Sequence, residues 1–369
     1  RRAYGILCSA TGIFLNLILF AGKLIAGLLA NSVAMEADAF NNLSDAASSI
    51  ISLFGFKLSG KKPDADHPFG HGRLEYISGL IISFLILIMG FELGKSSVKA
   101  IINPEKLESG LLQIIVMAGA ILVKIYMYVY NHVTGKKISS PTMEAVAKDS
   151  LSDMISTSVV ILSMILSKFT NLPVDGIGGV IVAFFILKTG VESAKETIDP
   201  LLGLPPSKEF VQEIEEEVLK FKPICGIHDL IVHDYGPSRM IMSLHAEVPG
   251  NINIFELHEV IDMAEINLAN KFNCMATIHM DPIDTENERL KDLKKLAKEI
   301  ASEIDEEITI HDVRMVPGET HTNLIFDAVR PYNCKFSKEE LKKELSNRIQ
   351  KVENDINCVI TIDEPFVNV

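Results

Sequence analysis

Hydrophobic and polar positions divide this chain in two. Up to about residue 200 the apolar residues come in long runs, and six are long enough to cross a hydrocarbon core, which takes about 20 mainly apolar residues. They lie at about 5–29, 33–57, 75–99, 110–132, 143–168 and 173–196. The second and fifth are the weakest, because acids sit in mid-span. Beyond Pro206 the pattern becomes one of short alternating runs between charged helical faces. It predicts a helix (Glu209–Phe221), two strands (His228–Tyr235 and Arg239–Val248), a helix (Ile254–Asn270) and a strand (Met275–Asp281). That order, with one antiparallel hairpin, predicts a small α+β sandwich. The expected fold is an α-helical membrane protein with six transmembrane helices, carrying α+β cytosolic domains.

Charge follows the same division. Of the chain's 48 acidic and 35 basic residues, 32 and 18 lie between Pro206 and Val369, a net of −14; the remaining 16 and 17 give the first half +1. An acidic soluble half repels phosphates and argues against nucleic-acid binding. Five cysteines without a CxxC pair argue against a disulfide framework or a thiolate zinc site. The first apolar run is too long, and lacks a small-residue cleavage site, to be a signal peptide. The connections at Asn31, Asn103–Ser109 and Lys168–Leu172 carry few cations. Those with Lys57, Lys61, Lys62, Arg73, Lys136 and Lys137, and the opening Arg1-Arg2, carry many. The positive-inside rule then places both termini and the acidic half in the cytoplasm, across the cell membrane from the other loops.

The chemistry sits in the two weak spans. Span two reads Met35-Glu-Ala-Asp-Ala-Phe-Asn-Asn-Leu-Ser-Asp45, and span five reads Met143-Glu-Ala-Val-Ala-Lys-Asp-Ser-Leu-Ser-Asp153. Asn41 and Asp45, and again Asp149 and Asp153, are four residues apart, which stacks each pair on one helix face. Facing each other, the two helices offer three carboxylates and one amide oxygen to a single cation. An Asp at the centre of a membrane helix costs about 2.5–3.5 kcal/mol on insertion scales, so three of them point to function rather than structure. Asp38 reads as interfacial, Glu36 and Glu144 as lying near aqueous helix ends, and Asp175 as a helix N-terminal acid.

With these motifs the sequence resembles the cation diffusion facilitators. The loop Pro63-Asp-Ala-Asp-His-Pro-Phe-Gly-His-Gly-Arg-Leu-Glu75 matches that family's loop signature, and the resemblance runs from about residue 5 to 285. It implies six spans, a ferredoxin-like cytosolic domain that pairs in a homodimer, and export of a divalent metal in exchange for protons. It places Asn41, Asp45, Asp149 and Asp153 on the transport site, and Asp64, His67 and His71 on a second, loop-borne site. Zinc-transporting members usually carry His at one or both of the positions held here by Asn41 and Asp149. An all-oxygen set suits Mn²⁺, whereas imidazole favours Zn²⁺; Mn²⁺ is the expected substrate, with Zn²⁺, Fe²⁺ or Co²⁺ as alternatives. The resemblance also places His228, His245, His258, His279 and Asp281 at cytosolic metal-binding positions.

The cytosolic pattern then recurs. Ile227-His-Asp229 is answered by Ile310-His-Asp312, and Asp281-Pro282 by Glu364-Pro365, each 83 residues later. The expected organisation is a transport domain over 1–205, a cytosolic metal-binding and dimerisation domain over 206–285, and a second copy over 286–369. The second copy keeps His311 but has Ala328, Leu341 and Ile362 where the first has His245, His258 and His279, which suggests a structural role or a new interface. His132, His233 and His321 read as ordinary polar residues. No P-loop or nucleophile–base constellation is present, so no catalytic cofactor and no enzymatic activity are expected. A membrane metal sensor is the rival reading; a channel is disfavoured by the absence of pore-loop segments.

Overall fold

A computed structural model of the chain describes residues 1–30, 33–103, 111–166, 174–237, 239–318 and 321–367. The connections expected at Asn31 and 168–172, most of the one at 103–109, and the side chains of Glu36, Asp38 and Asp175 lie outside the described residues. The chain divides into two compact units, Arg1–Leu204 with Asp234–Pro237, and Pro205–His233 with Ser238–Val369.

Among its described residues the first unit contains six long helices: α1 (Arg2–Ala30), α2 (Val33–Ser59), α3 (Leu74–Ile102), α4 (Leu111–Lys137), α5 (Pro141–Leu166) and α6 (Val174–Leu202). Four helical stretches among the described residues, Arg2–Ala26, Leu74–Ile102, Gln113–Lys137 and Gly176–Leu202, are long and apolar enough to cross a membrane. α2 and α5 are comparably long, but their buried faces carry acids and serines. The distribution is inverted relative to a water-soluble bundle. Phe14, Phe84, Phe91, Leu122 and Phe184 point outward, while Ser9, Ser52, Ser83, Asn131, Ser193 and Thr197 are buried. With lipid outside, apolar contact gives helices little reason to associate, so close packing and interhelical hydrogen bonds must do so. Ser9 bonds Ser52 from α1 to α2, and Ser83 bonds Ser193 from α3 to α6, both at 2.9 Å. Gly176 lets α6 approach α3 so closely that a Cβ there would lie 2.8 Å from the Ser97 carbonyl oxygen.

The second unit holds two blocks with one order of elements. The first is α7 (Lys208–Val218), β1 (Gly226–Asp234), β2 (Met240–Pro249), α8 (Ile254–Phe272) and β3 (Cys274–Ile283). The second is α9 (Glu288–Ile304), β4 (Thr309–Pro317), β5 (Thr322–Val329), α10 (Lys338–Val352) and β6 (Ile356–Asp363). The sheets run β1-β2-β3 and β4-β5-β6, with the last pair parallel in each. Alternation fixes which face is buried. Met242, Leu244, Ala246 and Val248 of β2 pack beneath α7 and α8, and Leu324, Phe326 and Ala328 of β5 pack beneath α9 and α10. The intervening residues, His245 and Asp327 among them, lie on the opposite face of each sheet. Every helix here starts on a side-chain cap: Ser207, Asn253, Asn287, and Ser337 in a capping box with Glu340. The blocks share a finer detail as well: Asp229 and Asp312, 83 residues apart, both adopt left-handed backbone, with φ of 50° and 49°.

Candidate metal sites

Asp45 on α2 and Asp149 and Asp153 on α5 each bring a carboxylate oxygen within 4.8 Å of the others. All three are buried, at 4%, 3% and 8% exposure. The four-residue spacing on α5 supplies two of them from one face, and the packing of α2 beside α5 supplies the third. A fourth group joins them that the sequence reading passed over. Lys124, buried on α4, donates to Asp45 Oδ2 at 2.7 Å and to Asp153 Oδ2 at 2.6 Å. Asp149 Oδ1 is buried without a hydrogen-bond partner. Ionised, the cluster carries three negative charges against one ammonium. Buried charges need compensation, so the surplus calls for a dication or for protons. Asn41 does not join the buried set: it is exposed, one turn from Asp45, whereas its neighbour Asn42 is buried.

The loop group is also brought together, with ligand atoms of Asp64, His67 and His71 within 4.8 Å. Asp64 Oδ1 accepts from the His67 backbone N–H at 2.9 Å, closing the turn that presents both rings. His71 Nε2 stands 3.5 Å from Asp64 Oδ2, and its Nδ1 is buried without a partner. Lys61 donates to Asp64 at 2.7 Å, and this bond lowers the Asp64 carboxyl to about 2.

In the cytosolic unit, His228, His245 and Asp281 form a third group. β2–β3 register sets His245 opposite His279 and Glu247 opposite Asp281, so these imidazoles and the carboxylate share a sheet face. Asp281 Oδ2 lies 3.0 Å from His228 Nε2 and 2.9 Å from His245 Nδ1, and Asp281 Oδ1 lies 3.4 Å from His279 Nε2. Burial lowers the pKa of His228, reinforced by the charge of His311, so the ring favours the neutral form that a metal requires. His258 does not join this group within the chain. It is exposed on α8 and pairs with Asp262 at 3.3 Å. Its helix packs through Leu257, Ile261, Ala264 and Leu268 on the core side of the sheet, whereas His245 and Asp281 are on the other side.

Comparison with known proteins identifies the setting of these groups. The family description "Cation efflux transmembrane domain" matches residues 9–202, and "Cation efflux protein, cytoplasmic domain" matches residues 206–283. The chain belongs to the cation efflux family. An uncharacterised transporter of Methanocaldococcus jannaschii is 34% identical over 274 residues, covering 73% of this chain and 95% of the relative. The manganese efflux system protein MneS of Bacillus subtilis is 27% identical over 269 residues, covering 73% and 92%. The cation-efflux pump FieF of Shewanella oneidensis is 25% identical over 281 residues, covering 76% and 95%. As a cation efflux protein the chain is a membrane transporter of metal cations and not an enzyme. Neither matched description reaches beyond residue 283, so the second block is an addition to what those descriptions cover.

Proposed function

We propose that this protein exports Mn²⁺ in preference to Zn²⁺, in exchange for protons, through six membrane spans with both termini cytoplasmic. The observation that carries the reading is the buried cluster of Asp45, Asp149 and Asp153. Its donors are all oxygen, the chemistry that suits Mn²⁺ better than an imidazole site does. Two relatives bear the name manganese efflux system protein, MneS and MneP of Bacillus subtilis. Lys124 acts as a tethered cation: it bridges Asp45 and Asp153 where an incoming ion would bind, and metal entry displaces it. When the ion leaves outward, the carboxylates take up protons, because metal and protons compete for the same oxygens. Asn41 supplies a fourth oxygen only after α2 shifts, since it is exposed in the present arrangement. The loop group at Asp64, His67 and His71 and the cytosolic group at His228, His245, His279 and Asp281 serve as further metal sites. The first block also pairs two chains into a homodimer, and the second block is a tandem copy of the first.

The imidazole-rich cytosolic group favours a second reading, export of Zn²⁺ by the same route, with Fe²⁺ and Co²⁺ as further candidates. Proteoliposome flux with and without an imposed pH gradient separates these readings. Mn²⁺ flux that rises when the side of release is made the more acidic, so that protons run down their gradient against the metal, and a turn toward Zn²⁺ in Asn41→His, are the expected results. Flux indifferent to the gradient would reject proton exchange, and a wild type that carries Zn²⁺ but not Mn²⁺ would reject the substrate assignment.

A further inference from the structure

His311 is the one histidine that the second block retains from the metal-binding pattern of the first, and the fold places it among acids. It stands on β4 directly opposite Asp327 of β5. Asp327 pairs with Thr361 of β6, and Asp363 lies two residues on, so the pleat returns Asp363 to the same face. Ligand atoms of His311, Asp327 and Asp363 lie within 4.8 Å of one another. From the first block Asp229 Oδ1 comes to 3.3 Å from His311 Nε2, and the ring of His228 lies 4.5 Å from that of His311. The side chains at this junction are poorly satisfied by protein alone. His311 is 9% exposed, and the contact its Nε2 makes with Asp229 is an ion pair at 3.3 Å rather than a well-formed hydrogen bond. Among the described residues no Lys or Arg lies within ion-pair distance of Asp327 or Asp363; Lys338 instead faces Glu364 at 3.5 Å. Burial raises the Asp363 carboxyl above its ordinary range, and the charges of Asp327 and Asp229 push it further.

We propose that His311, with Asp327 and Asp363 of the second block and Asp229 of the first, forms a divalent-cation site that fastens the two blocks to each other. One imidazole with up to three carboxylates is a mixed nitrogen and oxygen set, suited to Zn²⁺ and Mn²⁺. A dication there takes the buried nitrogen as a ligand and offsets carboxylate charges that now face one another. The site adjoins the group at His228, His245, His279 and Asp281, and His228 stands between the two: its Nε2 lies 3.0 Å from Asp281 Oδ2, and it also has a ligand atom within 4.8 Å of those of Asp229 and His311. An ion bound across the junction stabilises only the docked arrangement, so block docking becomes dependent on cytosolic metal.

The test counts ions on the full chain, purified in detergent, stripped with chelator and dialysed to equilibrium against Mn²⁺ or Zn²⁺. Wild type is expected to bind one more ion per chain than His311→Ala, and Asp327→Asn and Asp363→Asn are expected to weaken that ion by about tenfold or more. His245→Ala is expected to keep it, since that substitution touches only the neighbouring group. If His311→Ala melts early in metal-free solution, the near-isosteric Asp327→Asn and Asp363→Asn decide the question. Wild-type ion counts and affinities in both Asn variants, for both metals, would overturn the proposal. No flux is measured, so a failure here is distinct from a failure of the transport reading.

Discussion

The membrane unit and the cytosolic unit both gather carboxylates, but they balance them differently. Between the helices three buried acids face one ammonium, and no histidine belongs to the group. In the cytosolic unit each acid cluster contains imidazole: Asp281 among His228, His245 and His279, and Asp327 with Asp363 around His311. The difference follows from the duty each site has. On the proposed transport reading the ion must also be released, and Lys124 together with protons would supply replacement charge for the empty state. A site that holds a metal in place can use neutral imidazole, a strong donor that adds no charge to bury. The comparison teaches that ligand type alone does not distinguish carriage from retention. On the proposed reading the built-in competitor, Lys124, does.

The largest effect should come from cutting the membrane cluster itself. Asp149→Ala removes one of two ligands on α5 and is expected to reduce metal flux by at least about 100-fold while leaving ion binding to the isolated cytosolic histidines unchanged; flux and equilibrium dialysis on the same preparation check both halves. Next comes the fold of the second block. Phe326 is fully buried in its core, and Phe326→Ala should cost about 3–5 kcal/mol in that block's unfolding. Denaturation followed by limited proteolysis should show the first block persisting. Lys124→Met sharpens the comparison directly. Without its competitor the membrane cluster should hold Mn²⁺ about tenfold more tightly, a gain of about 1.4 kcal/mol, and turn over more slowly; weaker binding would mean that the ammonium supports the site and does not compete.

The smallest effect is a pH dependence in the first block. Hydrogen bonds from Lys220 and Lys271 hold the Glu217 carboxyl below its ordinary range. A depressed carboxyl pKa gives stability that is present above the unfolded value and is lost as pH falls through the folded one. Glu217→Gln should therefore flatten the acid limb of the melting curve and change little at neutral pH. Glu217 is itself buried, but Lys220 is exposed and Lys271 partly so, and screening of these lysines keeps the shift to a modest fraction of the Phe326 effect.

Much of this was legible in the sequence because the signals were periodic. Six apolar runs mark the six helices, and the four-residue spacing of Asp149 and Asp153 sets them on one face of α5. The 83-residue offset of Ile227-His-Asp229 and Ile310-His-Asp312 anticipates two blocks with the same element and strand order. What was missed depends on tertiary packing. Lys124 stands alone in the run Ile121-Leu-Val-Lys-Ile125, and a lone lysine in mid-span is itself a functional signal; its partners lie on other helices, so spacing could not reveal them. Asn41 and Asn42 are adjacent but about 100° apart around α2, and which of them is buried depends on how that helix packs. His258 shares the composition of its neighbours in the pattern but sits on a helix across the sheet from them. The acids around His311 come from β5 and β6 of its own block and from β1 of the other, a meeting that sequence spacing does not disclose.

The measurement that bears most directly on this account is Mn²⁺ flux into proteoliposomes for wild type and Asp153→Ala, run side by side at equal protein density. The account predicts robust flux in the wild type and flux indistinguishable from protein-free vesicles in the variant. Undiminished flux through Asp153→Ala would show that the ion does not pass by the carboxylates of α2 and α5, and would contradict the account at its centre.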